Sequence, residues 1–136
     1  MKVVLFCGGF GMRMGKFFQN KSEFFENNPK PMLLIGNRPI LWHIMKYYAH
    51  FGHKDFILCL GYKAENIKEY FKRNHDSFSE WNIQLVDTGL NTKIGQRLFS
   101  VKDLLQNDDV FMVNYTDGLS DVNLNAYLDY FIKHNK

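Results

Sequence analysis

The sequence predicts an α/β domain in which a mostly parallel sheet carries helices on both faces, giving three layers. Four short apolar runs of strand length recur along the 136 residues, and each is followed by a segment whose apolar residues keep helical spacing. Parallel neighbours in a sheet need long crossover connections, which such helices provide. Strands that alternate with helices in this way indicate a doubly wound, mostly parallel sheet.

The first half of the chain carries two strands and two helices, with a hairpin between them. The run 2–7 (KVVLFC) is almost entirely apolar, as expected of a strand buried on both faces. Residues 31–40 form two short apolar stretches around a Gly-Asn turn, and the helix that follows is expected to end at Gly52. The run 55–61 predicts the second strand and 64–74 the second helix.

The second half repeats this alternation. Residues 81–89 (WNIQLVDTG) predict a third strand that closes on a turn, and apolar residues at helical spacing follow within 94–105. The run 110–115 (VFMVNY) predicts the fourth strand, and a last helix is marked by Leu124, Leu128 and Phe131.

Length and composition predict one globular domain covering residues 1–136 and exclude a disordered chain. Apolar residues make up 46% of the sequence, which is enough for a core. We expect a cytoplasmic protein, because no apolar run approaches the ~20 residues of a membrane span and the N-terminus lacks a secretory signal. The net charge of +3 is too small to predict nucleic-acid binding. Cys7 and Cys59 are expected to be small buried hydrophobic residues.

A ligand site is expected at the carboxyl ends of the strands, where open parallel sheets bind their ligands. Those ends are residues 8–11, 61–62, 87–89 and 115–118, and two of them carry an Asp followed closely by Gly. Asp and Gly also favour turns that bind nothing. Each strand end taken alone is therefore equally compatible with a site and with a plain turn.

The stretch FCGGFGMRMG (6–15) places four glycines and an arginine directly after the first strand. Glycines let backbone N–H groups converge on a ligand. The spacing does not fit the dinucleotide fingerprint, since Met14 stands at the third glycine, nor the Walker loop, since Phe17 replaces the required Ser or Thr. We interpret the stretch as a different loop that approaches a nucleoside triphosphate.

Two cations and a carboxylate complete this predicted site. Arg13 follows the glycines, and Lys30 lies between Pro29 and Pro31, which stiffen the backbone that carries it. A triphosphate, with about four negative charges, is neutralised by backbone N–H groups, cations and usually Mg²⁺. Asp117, just past the fourth strand, is the predicted Mg²⁺ ligand, because Mg²⁺ binds one or two carboxylates together with water and phosphate oxygens.

Several motifs, in order, resemble the sugar-phosphate nucleotidyltransferases. They are GGFGMRM, PKPM, RPILWHIMKYYAHFGHKDFILCLGYKAENIKEYF, VDTG with IGQRL, and NYTDGLSD, and together they span nearly the whole chain. Within that family the sequence most resembles the glucose-1-phosphate cytidylyltransferase branch. The resemblance implies a Rossmann-like fold of the nucleotide-diphospho-sugar transferase type, truncated here to its N-terminal, nucleotide-binding half.

The resemblance also implies roles for individual residues. In that family the glycine loop wraps the triphosphate, the arginine and the KPM lysine hold phosphate oxygens, the VDTG turn lies over the base, and the aspartate after the fourth strand binds Mg²⁺. Carried over by position, the catalytic candidates are Arg13, Lys30 and Asp117, with Asp117 as the metal ligand. The nucleotide-binding candidates are Gly8, Gly9, Gly11, Thr88, Gly89 and Arg97.

The reaction implied is a cytidylyl transfer with Mg²⁺ as cofactor. An oxygen of glucose-1-phosphate, or another sugar-1-phosphate, attacks the α-phosphorus of CTP, which gives a CDP-sugar and pyrophosphate. A related enzyme that uses another nucleoside triphosphate, and a catalytically incomplete nucleotide-binding remnant, are the alternatives.

The sequence departs from the family pattern in the phosphate loop, in one connection and in length. Met12 replaces a Thr whose hydroxyl reaches phosphate, and GKFFQNK lengthens the loop after Arg13. In the family, an insertion between the positions of Phe71 and Trp81 contributes to contacts between subunits, and this chain is shorter there. The sequence therefore allows a homo-oligomer but does not predict one. The family fold continues past the last helix of this chain, so we expect the 136 residues alone to bind CTP·Mg²⁺ weakly without turnover.

Other residues have structural explanations. His43 lies between apolar neighbours in a helix, where a packing role is expected rather than that of a base. The Phe and Lys residues of 16–25 resemble a stacking platform for single strands, but surface aromatics explain them equally well, and we expect no nucleic-acid or membrane partner. Asp121 either supports Asp117 or caps the helix that follows.

Overall fold

The computed structural model describes residues 1–8, 28–116 and 118–134. Within them the strands are β1 (Lys2–Cys7), β2 (Leu34–Ile35), β3 (Arg38–Pro39), β4 (Asp55–Leu60), β5 (Asn82–Asp87) and β6 (Met112–Tyr115). The α-helices are α1 (Ile40–His50), α2 (Ala64–Arg73), α3 (Ile94–Ser100), α4 (Lys102–Leu105) and α5 (Leu124–His134). Short 3₁₀ turns lie at Lys30–Met32 and His75–Phe78.

The main sheet has four strands in the order β5-β4-β1-β6, and every neighbouring pair is parallel. Each strand falls within an apolar run of the sequence, and a helix precedes the next strand in the sheet. β2 and β3 form a separate antiparallel hairpin around Gly36, whose φ of 67° is one that glycine adopts without strain. The predicted parallel α/β sheet is confirmed.

The core occupies both faces of the sheet, because β1 and β4 lie at its centre and alternate residues of each point to opposite sides. One face packs against α1, α2 and the start of α5. The other face packs against α3 and α4, through a smaller cluster formed by Val4, Phe6, Ile57, Cys59, Val101 and Leu105. The two clusters give the predicted three layers.

Two local features differ from the simplest interpretation of the pattern. The helical stripe of 94–105 is divided at Val101, whose φ of −107° and ψ of 9° separate α3 from α4 while its side chain stays buried. The start of α5 is capped by Asn123, whose Oδ1 accepts a hydrogen bond from the Ala126 amide at 3.1 Å. Asp121 therefore does not cap this helix.

Cys7 and Cys59 are free and buried, as predicted. Burial raises the pKa of the Cys59 thiol to about 11, against a smaller opposing effect of the Arg97 charge, and burial also raises the pKa of Cys7. Both thiols are therefore neutral packing groups. Within the described ranges, no helix has the length and apolar character needed to cross a bilayer.

Candidate functional site

The carboxyl ends of the four parallel strands lie side by side. Cys7 pairs with Leu60, Leu60 pairs with Asp87, and Phe6 pairs with Tyr115. The strands therefore end at the same level of the sheet, and the residues that follow them share one edge. This is the edge where ligands of open parallel sheets bind.

Two buried threonines fix the spacing of the strand ends. The Thr116 hydroxyl donates to the Phe6 carbonyl at 2.8 Å, which holds the end of β6 against β1. The Thr88 amide and hydroxyl both donate to the Leu60 carbonyl, at 2.8 Å and 2.9 Å, which holds the end of β5 against β4. Thr116 was not singled out from the sequence, because a threonine after a strand is an ordinary turn residue.

Arg97 extends from α3 into the protein beneath these strand ends, and only 4% of it is exposed. All of its hydrogen bonds in the described chain go to neutral oxygen atoms. Nε donates to Thr92 O at 3.1 Å; Nη1 lies 2.8 Å from Thr88 Oγ1, 2.9 Å from Gly89 O and 3.3 Å from Leu60 O; Nη2 lies 3.4 Å from Gly8 O and Leu90 O. The guanidinium therefore joins the ends of β1, β4 and β5.

Glycines stand where the strand ends approach this guanidinium. A Cβ atom added to Gly8 would lie 2.3 Å from Arg97 Nη1. A Cβ atom added to Gly61 would lie 2.7 Å from the same nitrogen and 2.8 Å from the Gly89 carbonyl oxygen. These distances are far below van der Waals contact, so β1 and β4 meet the arginine at the closest approach that the backbone permits.

The VDTG turn is stabilised by a hydrogen bond between two of its own residues. Gly89 has a φ of 95°, and its amide donates to Asp87 Oδ1 at 3.1 Å. The Thr88 hydroxyl donates to Leu60 and accepts from Arg97, so it is engaged inside the protein. Base contacts by Thr88 and Gly89 stay a prediction.

Lys30 opens a 3₁₀ turn between two buried prolines, Pro29 and Pro31. The Met32 amide donates to the Pro29 carbonyl at 3.0 Å, which closes the turn, so the backbone of Lys30 is held as the sequence suggested. Just before the turn, Asn28 Oδ1 accepts from Asn66 Nδ2 at 3.3 Å. Asn66 lies in the first turn of α2, which begins a short turn after β4, so the segment that leads into Lys30 is held near this edge of the sheet.

The described contacts of His43 are with the β2–β3 hairpin and with its neighbour in α1. Its Nε2 atom is 2.9 Å from the Ile35 carbonyl oxygen, and its ring meets the Trp42 ring edge to face at 5.0 Å. The contact with Ile35 connects α1 to the β2–β3 hairpin, which is a packing role.

Comparison with known proteins gives relatives across the whole chain, although no family model matches it. A glucose-1-phosphate cytidylyltransferase of Salmonella typhimurium is 39% identical over an alignment of 155 positions, gaps included, covering 100% of this chain and 58% of the relative. A probable glucose-1-phosphate cytidylyltransferase of Bacillus subtilis is also 39% identical, covering 96% of this chain and 55% of the relative. The chain is a relative of the sugar-phosphate nucleotidyltransferases. It spans little more than half the length of the curated relatives it matches.

Solved structures of nucleotidyltransferases share the fold. A putative glucose-1-phosphate thymidylyltransferase from Bacillus anthracis superposes with a TM-score of 0.79 at 16% identity, covering 98% of this chain and 50% of that one. The HddC protein from Yersinia pseudotuberculosis, complexed with GMP-PN, superposes with a TM-score of 0.77 at 22% identity, covering 96% and 54%. At these identities the likeness establishes the architecture.

Several residues predicted for this nucleotidyltransferase-like site lie outside the described ranges: Gly9, Gly11, Arg13 and Asp117. Their described neighbours, Gly8 and Thr116, follow β1 and β6, which are paired in the sheet. The glycine segment and Asp117 thus follow adjacent strands. Among the described residues no group of three or more His, Cys, Asp or Glu could hold a metal ion, so the Mg²⁺ site at Asp117 stays a prediction.

Proposed function

We propose that this chain forms the nucleotide-binding part of a cytidylyltransferase, which transfers the cytidylyl group of CTP to glucose-1-phosphate and releases pyrophosphate. The observation that carries the proposal is the 39% identity to glucose-1-phosphate cytidylyltransferases over the whole chain. The structure supports it, because Gly8, Lys30, Thr88 and Gly89 lie at one edge of the sheet. The cytoplasmic location expected from the sequence belongs to the same proposal.

The reaction mainly requires that the two substrates be positioned and that the negative charge of the polyphosphate be neutralised. An oxygen of the sugar phosphate forms a bond to the α-phosphorus of CTP while the bond from that phosphorus to the oxygen bridging to the β-phosphorus breaks, and pyrophosphate leaves with the electron pair. Lys30, on its stiffened turn, and Arg13 are proposed to bind the phosphate oxygens, and Asp117 to hold Mg²⁺, which offsets the charge of the polyphosphate. A fixed cation aimed at developing negative charge is an effective catalytic device.

The nucleobase is the finer part of the proposal. The chain is also 32% identical to a D-glycero-alpha-D-manno-heptose 1-phosphate guanylyltransferase of Campylobacter jejuni, over 82% of this chain. The higher identity to the cytidylyltransferases favours cytosine, and the Asp87–Gly89 turn is the proposed base contact.

Binding of CTP together with Mg²⁺ is expected to stabilise the folded chain, by about 2.7 kcal/mol when CTP exceeds its Kd a hundredfold. The measurement is a thermal-shift titration with CTP, UTP, dTTP, ATP and GTP, each with Mg²⁺, and CTP is expected to bind most tightly. Lys30→Met is expected to weaken CTP binding. Lys72→Met, an identical change on the exposed last turn of α2, is the matched control and is expected to bind like the wild type. A panel in which no nucleotide raises the melting temperature would contradict the proposal.

A chain that binds CTP without transferring it is the second candidate. This candidate is favoured by the comparison of lengths, because the chain spans 58% of the Salmonella typhimurium relative. Incubation with CTP, Mg²⁺ and glucose-1-phosphate, followed by chromatography for CDP-glucose, tests this second candidate, which predicts CTP binding without product. Product formation by the purified 136-residue chain would exclude this second candidate.

A further inference from the structure

The segment 118–123 connects β6 to α5 without regular secondary structure. A hydrogen bond joins it to α1, because the Tyr47 hydroxyl donates to the Val122 carbonyl oxygen at 2.6 Å. Within the segment, the Val122 amide donates to Ser120 Oγ at 3.1 Å. Both backbone polar groups of Val122 are therefore bonded, although 50% of this residue is exposed. Tyr47 and Val122 are 75 positions apart, so the contact is made by the fold and not by local sequence.

The Tyr47 side chain is itself held by its neighbours. Its ring packs edge to face against the ring of Tyr48 at 5.2 Å and against that of Phe51 at 5.4 Å. Tyr48 is buried, and its hydroxyl accepts a hydrogen bond from Asn114 Nδ2 of β6 at 3.1 Å. Two successive tyrosines of α1 therefore contact β6 and the segment that follows it. The Tyr47 hydroxyl is a donor with a fixed position.

The stretch from the end of β6 to Val122 is held at both ends. At its start, the buried Thr116 hydroxyl donates to the Phe6 carbonyl at 2.8 Å, and at its end Val122 is bonded to Tyr47. Asp117 lies between these two points in the sequence. Fixing both ends of a short stretch lowers its conformational entropy before any ligand binds.

The chemistry of this stretch fits the Mg²⁺ of the proposed function. Thr116 is bonded to β1, and the glycine segment proposed to bind the triphosphate follows β1 directly. The carboxylate of Asp117 is thus supplied by the strand next to the one that leads into this segment. Mg²⁺ binds one or two carboxylates and takes its remaining ligands from water and phosphate oxygens. One carboxylate beside a polyphosphate is therefore a sufficient donor set from the protein.

We propose that Tyr47 is a positioning residue of the nucleotide site, which holds the 118–123 segment through Val122 and so restricts the Asp117 carboxylate to positions that suit the metal. Tyr47 acts from α1 and does not itself contact the nucleotide. A ligand group that is ordered in advance costs less to immobilise when its partner binds. The metal part of this inference rests on the proposed function.

The first test measures the order of the segment without nucleotide. Tyr47→Phe keeps the packed ring and removes only the hydroxyl. The ¹⁵N order parameters of the Leu119, Ser120 and Val122 amides are expected to fall from about 0.85, the value of a rigid backbone, toward about 0.6. The amides of β1 and β4 are expected to keep their wild-type values. Unchanged order parameters in the segment would overturn the inference by themselves.

A matched variant controls for the loss of a tyrosine hydroxyl. Tyr130 lies on α5 with 65% of its surface exposed, and its ring contacts that of His134 at 4.1 Å. Its hydroxyl makes no hydrogen bond within the part of the chain that the structure describes. Tyr130→Phe is therefore expected to leave the order of the 118–123 segment and the affinity for CTP unchanged. A fall in order of the segment in this variant as well would count against the inference.

The second test measures affinity for CTP with Mg²⁺ and, separately, with EDTA in place of the metal. A residue that acts through Asp117 predicts that Tyr47→Phe loses affinity for CTP with Mg²⁺ by about three- to tenfold and keeps its affinity for metal-free CTP. A merely structural role predicts the same loss in both conditions. Equal losses with Mg²⁺ and with EDTA, or no loss in either, would overturn the inference.

A double-mutant cycle connects the two residues. In an Asp117→Asn background, adding Tyr47→Phe is expected to have no further effect on the affinity for CTP with Mg²⁺, because the group that Tyr47 positions is already absent. Additive losses would show that Tyr47 acts by another route and would overturn the inference. Failure of the wild type to bind CTP in either condition would overturn the proposed function and the metal part of this inference, and the order parameters would still decide whether Tyr47 holds the segment.

Discussion

Replacing Phe56 with alanine is expected to lower the free energy of unfolding by about 3–5 kcal/mol, because the substitution empties the centre of the core. Phe56 is fully buried in β4, between β1 and β5, and its ring lies 5.5 Å from the ring of Trp81. The surrounding strands are fixed by their neighbours and cannot close over the cavity. Since a domain of this size is stable by about 5–15 kcal/mol, the loss is a large fraction of the total.

Urea denaturation followed by circular dichroism measures this effect, with Phe99→Ala as the matched control. Phe99 lies on α3 with 65% of its surface exposed, and its ring contacts only the Lys102 ammonium among the described aromatic and cation contacts. We expect a change within about 0.5–1 kcal/mol for this variant. Equal losses in the two variants would show that Phe56 is not the packed centre of the sheet.

Replacing Gly61 with alanine is expected to cost about 1–3 kcal/mol of stability, as overpacking of a tight interior does, and to weaken CTP binding. The added methyl group would lie 2.7 Å from Arg97 Nη1, 2.8 Å from Gly89 O and 3.0 Å from Gly8 Cα. Two of these three atoms belong to the backbone, so the clash is relieved only if the strand ends separate. The same change that lowers stability therefore disturbs the edge where the nucleotide is proposed to bind.

Gly95→Ala is the control for this substitution. Gly95 lies in the first turn of α3, where an added Cβ atom would have no neighbour within 4 Å. Alanine in a helix is favoured over glycine by about 1 kcal/mol, so the variant is expected to be as stable as the wild type or more stable. Thermal melts and CTP titrations of both variants make the comparison. Wild-type stability in Gly61→Ala would contradict the close approach of the strand ends.

The sequence predicts the fold well because the central strands are buried on both faces. The runs 2–7 and 55–61 are almost continuously apolar, which is typical of central strands in a parallel sheet. The pairing of β6 with β1 and the break at Val101 are set by tertiary packing. A helical stripe alone is compatible with one helix or two, so neither feature follows from local pattern.

The sequence likewise predicts some features of the candidate site and does not predict others. The prolines on both sides of Lys30 predict a rigid backbone, and in the structure Lys30 lies in a 3₁₀ turn between them. The direction of the Arg97 side chain is not encoded near it in sequence, because its acceptors lie at positions 8, 60 and 88–92. The roles of Gly61 and Thr116 likewise depend on strands that are distant in the chain.

The most direct test of the nucleotide site is a ¹H–¹⁵N NMR titration of the wild-type chain with CTP and Mg²⁺. A nucleotide at the carboxyl ends of the strands predicts the largest shift changes at the amides of Gly8, Lys30, Tyr62 and Gly89. The amides at the opposite ends of the strands, including those of Lys2, Asp55 and Asn82, are expected to keep their chemical shifts. Shift changes concentrated at those amino ends, or none at saturating CTP, would contradict a nucleotide site at this edge.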